Sequence, residues 1–174
     1  MKNIYLVGFM GTGKTTVGKL LANKLHKKFV ELDELIEKKE HKKIADIFSE
    51  SGEKRFRQIE SELLKNLSLK TALVVSCGGG LICNDDNARI LKNTGIVFNL
   101  SASSETIYNR TKNFTHRPLL NVKDPLAHIK TLLRKRKPYY ARAHYTIDTE
   151  QKTPEEVANA IVAILSKFDR CENS

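Results

Sequence analysis

Three glycines and a lysine fall within GFMGTGKTT (8–16), directly after the apolar run IYLV. Gly8, Gly13, Lys14 and Thr15 satisfy G-x-x-x-x-G-K-[ST] in full, between a predicted strand and a predicted helix. Each residue type has a physical task in such a loop. Glycine lets the backbone turn its N–H groups toward phosphate oxygens at close range, and the helix that opens near Lys14 adds its positive end. The Lys14 ammonium can reach β- and γ-phosphates, and the Thr15 hydroxyl can ligate Mg²⁺ directly. Residues Gly11, Thr12, Gly13, Lys14, Thr15 and Thr16 are therefore candidate ligands of a nucleoside triphosphate.

A phosphate cradle does not name the acceptor, so other polar groups must decide it. FVELDELIE (29–37) carries Glu31 and Asp33 at period two, at the end of an apolar run. A carboxylate there suits water-mediated Mg²⁺ binding or proton abstraction from an attacking hydroxyl; Asp33 also suits a helix N-cap. SGEKRFRQIE (51–60) places Arg57 and Glu60 three apart, a helical pairing distance that surface pairs commonly use. VSCGGG ends a third apolar run with Gly78, Gly79 and Gly80, which fits either close approach by a ligand or a flexible turn. Cys77 before them reads as a small buried filler. TKNFTHRPLL (111–120) breaks the helical pattern and reads as a lid carrying Arg117.

These loops need elements to hold them. Apolar, β-branched segments recur at NIYLVG, KFVEL, TALVVS, GIVFNL and HYTID, separated by helix-like stretches. Val17, Leu20, Leu21 and Leu25 share one helical face, and Val157, Ile161, Ile164, Leu165 and Phe168 form another stripe that reads as core. TPEE opens the last helix with a capping box, Thr153 to Glu156, and Pro154 in the first turn. Strands alternating with helices imply a parallel sheet covered on both faces, with ligands at the carboxyl ends of the strands.

Composition narrows the classes. The 174 residues are 40% hydrophobic and 29% charged, which suits a single globular domain over 1–174. No apolar run approaches the ~20 residues of a membrane span. The opening MKNIYLVGFMG reads as a first strand, not a signal peptide. Three cysteines, Cys77, Cys83 and Cys171, fit a reducing cytoplasm better than a disulfide scaffold. The formal charge of +10 is spread over many segments, with runs such as KKEHKK and RKRK reading as solvated helix faces. That surplus suits attraction of small anions better than a nucleic-acid partner.

The sequence resembles the shikimate kinases along nearly its whole length. The resemblance runs from GFMGTGKTT through F-x-E-x-D-E-L-I-E, SGE-x-x-FR-x-x-E, CGGG and RPLL to R-x-P-x-Y and the IDT strand. It implies a P-loop NTPase-type α/β three-layer sandwich with a five-stranded parallel sheet of order 2-3-1-4-5. A substrate-binding region over about 33–61 and a lid over about 111–123 would accompany the P-loop at 8–15. By resemblance, Asp33 holds the shikimate hydroxyls and is placed to act as base. Arg57 clamps the substrate carboxylate with Arg136, chosen over Arg134 because RKPYY fits R-x-P-x-Y. Gly78, Gly79 and Gly80 contact shikimate through backbone N–H groups. Arg117 reaches the nucleotide phosphates, Arg110 stacks on adenine, and Lys152, Thr153 and Pro154 lie on the ring's other side. The family usually has aspartate where this chain has Glu31, so Glu31 would approach Mg²⁺ through water.

The implied activity is transfer of the γ-phosphoryl group of ATP to the 3-hydroxyl of shikimate by a cytoplasmic monomer, with no membrane or nucleic-acid partner. A gluconate-type kinase shares the cradle and the sheet. A basic nucleic-acid-binding switch that uses ATP is the more remote alternative, and it leaves Asp33, Arg57 and the triple glycine without a task.

Overall fold

The structure, a computed structural model, describes residues 2–112 and 122–171. Five parallel strands form one sheet in the order β2-β3-β1-β4-β5, the order the resemblance implied. They are β1 (Asn3–Val7), β2 (Lys28–Glu31), β3 (Leu73–Ser76), β4 (Gly95–Ser101) and β5 (Tyr145–Asp148). The helices are α1 (Lys14–Lys24), α2 (Leu32–Glu40), α3 (Ile44–Ser68), α4 (Asp85–Thr94), α5 (Ser104–Thr111), α6 (Pro125–Tyr140) and α7 (Pro154–Cys171). A short 3-10 turn, Leu81–Cys83, precedes α4.

The two-residue period of the central strands sorts the core into two layers. Ile4 and Leu6 of β1, with Val74, Phe98 and Leu100, pack on Val17 and Leu21 of α1 and on Val157 and Ile161 of α7. Tyr5 and Val7 face the opposite way, with Val75 and Val97, onto Leu32 and Ile36 of α2, Ile59 and Leu64 of α3, and Leu91 of α4. Both faces of β1 and β3 are thus dry, so these strands are apolar at nearly every position. The helical stripes are core over most of their length. The exception is Phe168, which is 38% exposed and meets the Tyr145 ring edge-on at 5.7 Å.

Three junctions position the chemistry. The chain leaves β1 through the glycine loop into α1, whose N-cap Gly13 is left-handed at φ 91°. It leaves β2 directly into α2 with no intervening turn, so Glu31 is the N-cap residue and Asp33 lies inside the first helical turn. The N-cap reading of Asp33 is therefore replaced. At the third junction, Asn84 caps α4 by accepting from the Asp86 and Asn87 N–H groups at 2.9 and 3.0 Å, which fixes the chain just beyond the triple glycine. At α7 the capping box forms: the Thr153 N–H donates to the Glu156 carboxylate at 2.7 Å, and the Glu156 N–H returns to Thr153 Oγ1 at 3.2 Å. Helix α3 bends at Gly52, whose φ of 75° and ψ of 169° are not helical.

The β4–β5 edge carries a pH-sensitive group. His144 Nδ1 accepts from the Val97 N–H at 3.0 Å, and burial, aided by Lys92 and Lys2, lowers the imidazole pKa below its ordinary 6.5. As pH falls below 6.5, the unfolded chain takes up this proton before the folded one, so stability declines until the folded pKa is passed. Between pH 7.5 and 5.5 the melting temperature of the wild type should fall more than that of His144→Gln. Parallel losses in the two proteins would remove His144 from the account.

Candidate active site

The loop after β1 is held by its own polar groups. Thr12 is buried, and its hydroxyl donates to the Phe9 carbonyl at 2.8 Å. Lys14 Nζ donates to the Gly8 and Phe9 carbonyls, both at 2.9 Å, so the ammonium folds back over the mouth of the loop where phosphate oxygens would replace those carbonyls. At Gly8, φ is +135° and a side chain would run into the Leu100 carbonyl, so only glycine fits that turn. The Thr15 hydroxyl donates to Glu31 Oε2 at 2.6 Å. Burial raises the Glu31 pKa, the Thr15 hydrogen bond opposes that, and Asp33 adds a smaller upward push.

Beyond the loop opens a cleft of about 460 Å³, lined by Gly11, Gly13, Lys14, Thr15 and Thr16 on one side. Asp33, Arg57, Glu60, Gly78, Gly79, Arg136 and the rings of Phe48 and Phe56 complete it. Residues that lie far apart in sequence thus converge as expected: Asp33 from α2, Arg57 from α3, the glycines from the end of β3, and Arg136 from α6. Arg134 is exposed and does not line the cleft, so Arg136 is the arginine that RKPYY delivers.

The triple glycine is a close-packed wall. A methyl group on Gly78 would collide with Glu60 Oε1 and lie 3.3 Å from Asp33 Oδ1. On Gly79 it would lie 3.5 Å from Arg136 Nη1, and on Gly80 it would meet Arg57 Nη2 at 2.6 Å. Gly78 and Gly80 therefore leave room for Glu60 and Arg57, so the turn is packed by the protein's own side chains. Cys77 is fully buried beneath them, as a filler would be.

Arg57 and Glu60 pair, but not on the surface. Glu60 is 0% exposed, and its Oε2 accepts from Arg57 Nη1 at 2.8 Å. Burial raises the Glu60 pKa against the pull of Arg57, and Oε1 is buried without a hydrogen-bond partner among the described residues. Glu53 holds the other edge of the guanidinium at 3.1 Å, and the Phe56 ring lies 5.1 Å from its carbon. Burial alone would lower the Arg57 pKa, but Glu60 and Glu53 outweigh it and keep the group charged. Arg136 is braced similarly over the Phe9 ring, at 5.6 Å.

A second hollow of about 230 Å³ adjoins the glycine loop between Thr12, Gly13, Thr16, Arg110, Thr149, Lys152 and Pro154. Arg110 donates to the Thr149 hydroxyl and carbonyl at 3.1 and 3.0 Å, which pins it across the hollow's mouth. Lys152 Nζ is turned onto the Asp148 carbonyl at 2.9 Å, and the Thr153 side chain serves the α7 cap. Arg117 and most of the expected lid lie outside the described residues. Sequence reading passed over Thr149 and Phe48. It also passed over Glu150, whose carboxylate accepts from the Ser103 N–H at 2.9 Å and Ser103 Oγ at 3.0 Å and so ties this loop to α5. The one signal for them was position: Thr149 and Glu150 directly follow a strand's carboxyl end.

An anion cradle opening onto a cleft whose far wall carries two guanidinium groups and a carboxylate, at the carboxyl edge of a 2-3-1-4-5 sheet, belongs to a P-loop small-molecule kinase. The family model described as "Shikimate kinase" matches residues 10–166, so the chain belongs to the shikimate kinase family. A shikimate kinase of Thermodesulfovibrio yellowstonii is 50% identical over 173 residues, covering 99% of this chain and 98% of that one. The solved structure of shikimate kinase from Acinetobacter baumannii in complex with shikimate superposes with a TM-score of 0.92 at 43% identity, covering 96% of this chain and 94% of that one. A gluconokinase from Sinorhizobium meliloti 1021 shares the fold alone, at a TM-score of 0.64 and 18% identity, covering 99% of this chain and 98% of that one.

Breaking the Arg57–Glu60 pair tests its role in the fold. Arg57→Ala should destabilise the protein by about 3 kcal/mol, toward the low end for a broken buried pair because Arg57 is about a third exposed. The double variant Arg57→Ala/Glu60→Gln should recover part of that loss in urea denaturation. Equal stability of the wild type and Arg57→Ala would show that Glu60 does not depend on Arg57.

Proposed function

We propose that this protein transfers the γ-phosphoryl group of ATP to the 3-hydroxyl of shikimate, giving shikimate 3-phosphate and ADP. The observation that carries the reading is that Asp33, Arg57 and Arg136 line one cleft that opens onto the glycine loop. A carboxylated triol needs cations at one end and an acceptor for hydroxyl hydrogens at the other. Two planar guanidinium groups meet a carboxylate in two-point fashion, which point-charge lysines do not. The complex of the Acinetobacter baumannii relative with shikimate supports the same acceptor here.

In the proposed reaction the 3-hydroxyl oxygen forms the new P–O bond as the bond from the γ-phosphorus to the β–γ bridging oxygen breaks. ADP leaves with that electron pair. Asp33 orients the hydroxyl and takes its proton, while Lys14 and the N–H groups of residues 11–16 offset charge on the phosphates. Arg117 is assigned to the same phosphates from the lid, and Arg110, Lys152 and Pro154 to the adenine hollow. Thr15 directly, and Glu31 through water, would hold Mg²⁺, which supplies charge neutralisation at the β- and γ-phosphates when bound. Two hard oxygen donors, the Thr15 hydroxyl and the half-buried Glu31 carboxylate, already lie together at the mouth of the loop and suit that cation by type. The reading carries with it a one-domain, monomeric, cytoplasmic enzyme. No described helix is long and apolar enough to cross a membrane.

The test is ADP release with ATP and Mg²⁺, with shikimate, with gluconate, and with no acceptor. Release that depends on shikimate supports the proposal; release with gluconate alone, or without acceptor, overturns it. Asp33→Asn should lower kcat at least ~100-fold while ATP still binds, in line with loss of a positioned proton acceptor. Near-normal turnover would remove Asp33 from that role. For Arg117→Ala, a large fall in kcat with a modest change in shikimate KM is expected, and the opposite split would place Arg117 in the carboxylate clamp.

A further inference from the structure

The motif R-x-P-x-Y delivers Arg136 to the cleft, but its last member has no task in the reaction as proposed. Tyr140 closes α6, is only 6% exposed, and its hydroxyl donates to the Gly79 carbonyl at 2.7 Å, across 61 positions of sequence. Gly79 is the middle residue of the triple glycine. Its Cα faces Arg136 Nη1 and the backbone of Gly8 and Met10 in the P-loop. Arg136, one helical turn before Tyr140, lies near enough for its charge to act on the phenol. The phenol and the guanidinium thus meet at Gly79, one through its carbonyl and the other beside its Cα. Pro138 lies between Arg136 and Tyr140 and has no N–H to give the helix, although backbone bonds from Ala141 and Arg142 still close the last turn of α6.

We propose that Tyr140 is a positioning residue that fixes the Gly79–Gly80 peptide, beside the Arg136 guanidinium, in the arrangement that binds the acidic acceptor. The inference rests on the activity proposed above, and it adds a residue that touches neither substrate. The Gly79 carbonyl shares a peptide plane with the Gly80 N–H, so a carbonyl held toward Tyr140 sets the direction of that N–H. Burial pushes the Tyr140 pKa up to about 12, which keeps the donor proton in place throughout the working pH range.

Tyr140→Phe removes one oxygen and keeps the ring that fills the site. The expected result is a rise of about tenfold in the KM for shikimate, the size that follows when a buried carbonyl loses its donor. The KM for ATP should move less than about twofold and kcat less than about threefold, since the nucleotide side keeps its contacts. The same substitution made on Arg136→Ala should change the shikimate KM much less than on the wild type, because both side chains bear on Gly79. An unchanged shikimate KM in folded Tyr140→Phe overturns the inference, and so does full additivity with Arg136→Ala. A large fall in melting temperature with both KM values rising together also overturns it, since that pattern marks a merely structural tyrosine. A wild type that turns over ATP with no dependence on shikimate overturns the proposed activity instead, and separates that failure from this one.

Discussion

A fully buried carboxylate, Glu60, underlies the cleft wall of Arg57 and Gly78, and that wall is arranged around what it requires. A charged group without water is costly unless a partner repays the lost hydration, and Arg57 at 2.8 Å supplies that partner. Fixing Arg57 against Glu60 and Glu53 gives the guanidinium a single orientation, so one face remains for a ligand. The crowding at Gly78 and Gly80 has the same origin: a side chain at either position would displace Glu60 or Arg57. The pair is weak grounds for fold stability and strong grounds for a preorganised anion site, where the cost of ordering a flexible arginine is met before substrate arrives.

The nucleotide side follows a different physical rule. Its loop binds through backbone N–H groups and a helix terminus, which need conformational freedom at glycines more than buried charge. Lys14 already occupies carbonyl oxygens of its own loop, so the cradle is held shut by contacts that phosphate can replace one for one. The overall surplus of +10 then favours encounter with anionic partners on both sides of the cleft.

Much of this was legible in the residues because it is local. The glycine loop declares itself by spacing, and the five strands by β-branched runs, because a doubly covered sheet demands apolar residues on both faces. The capping box at Thr153 and Glu156 is equally local. What escaped the sequence depends on tertiary packing. Glu60 looks like any helix-surface glutamate until α3 is laid against Gly78. Asp33 looks like an N-cap because nothing in LDELIE announces that α2 starts straight from β2. Arg134 and Arg136 differ only in which side of α6 meets the cleft. Tyr140 and Thr149 act through contacts with distant backbone that no spacing rule encodes.

The division of the core into two layers has a consequence for how such a protein can diversify. Helices α1 and α7, on one face, back the glycine loop, whereas α2, α3, α4 and α6, on the other, carry or back the wall that holds Asp33, Arg57 and Arg136. Phe9 of the glycine loop and Ile107 of α5 pack in that second layer too, and Arg136 lies over the Phe9 ring. A mutation that reshapes the wall is therefore repacked against the loop itself, while the layer of α1 and α7 keeps its own contacts. New side chains at the wall must be accommodated around Phe9, whereas those on α1 and α7 need not be.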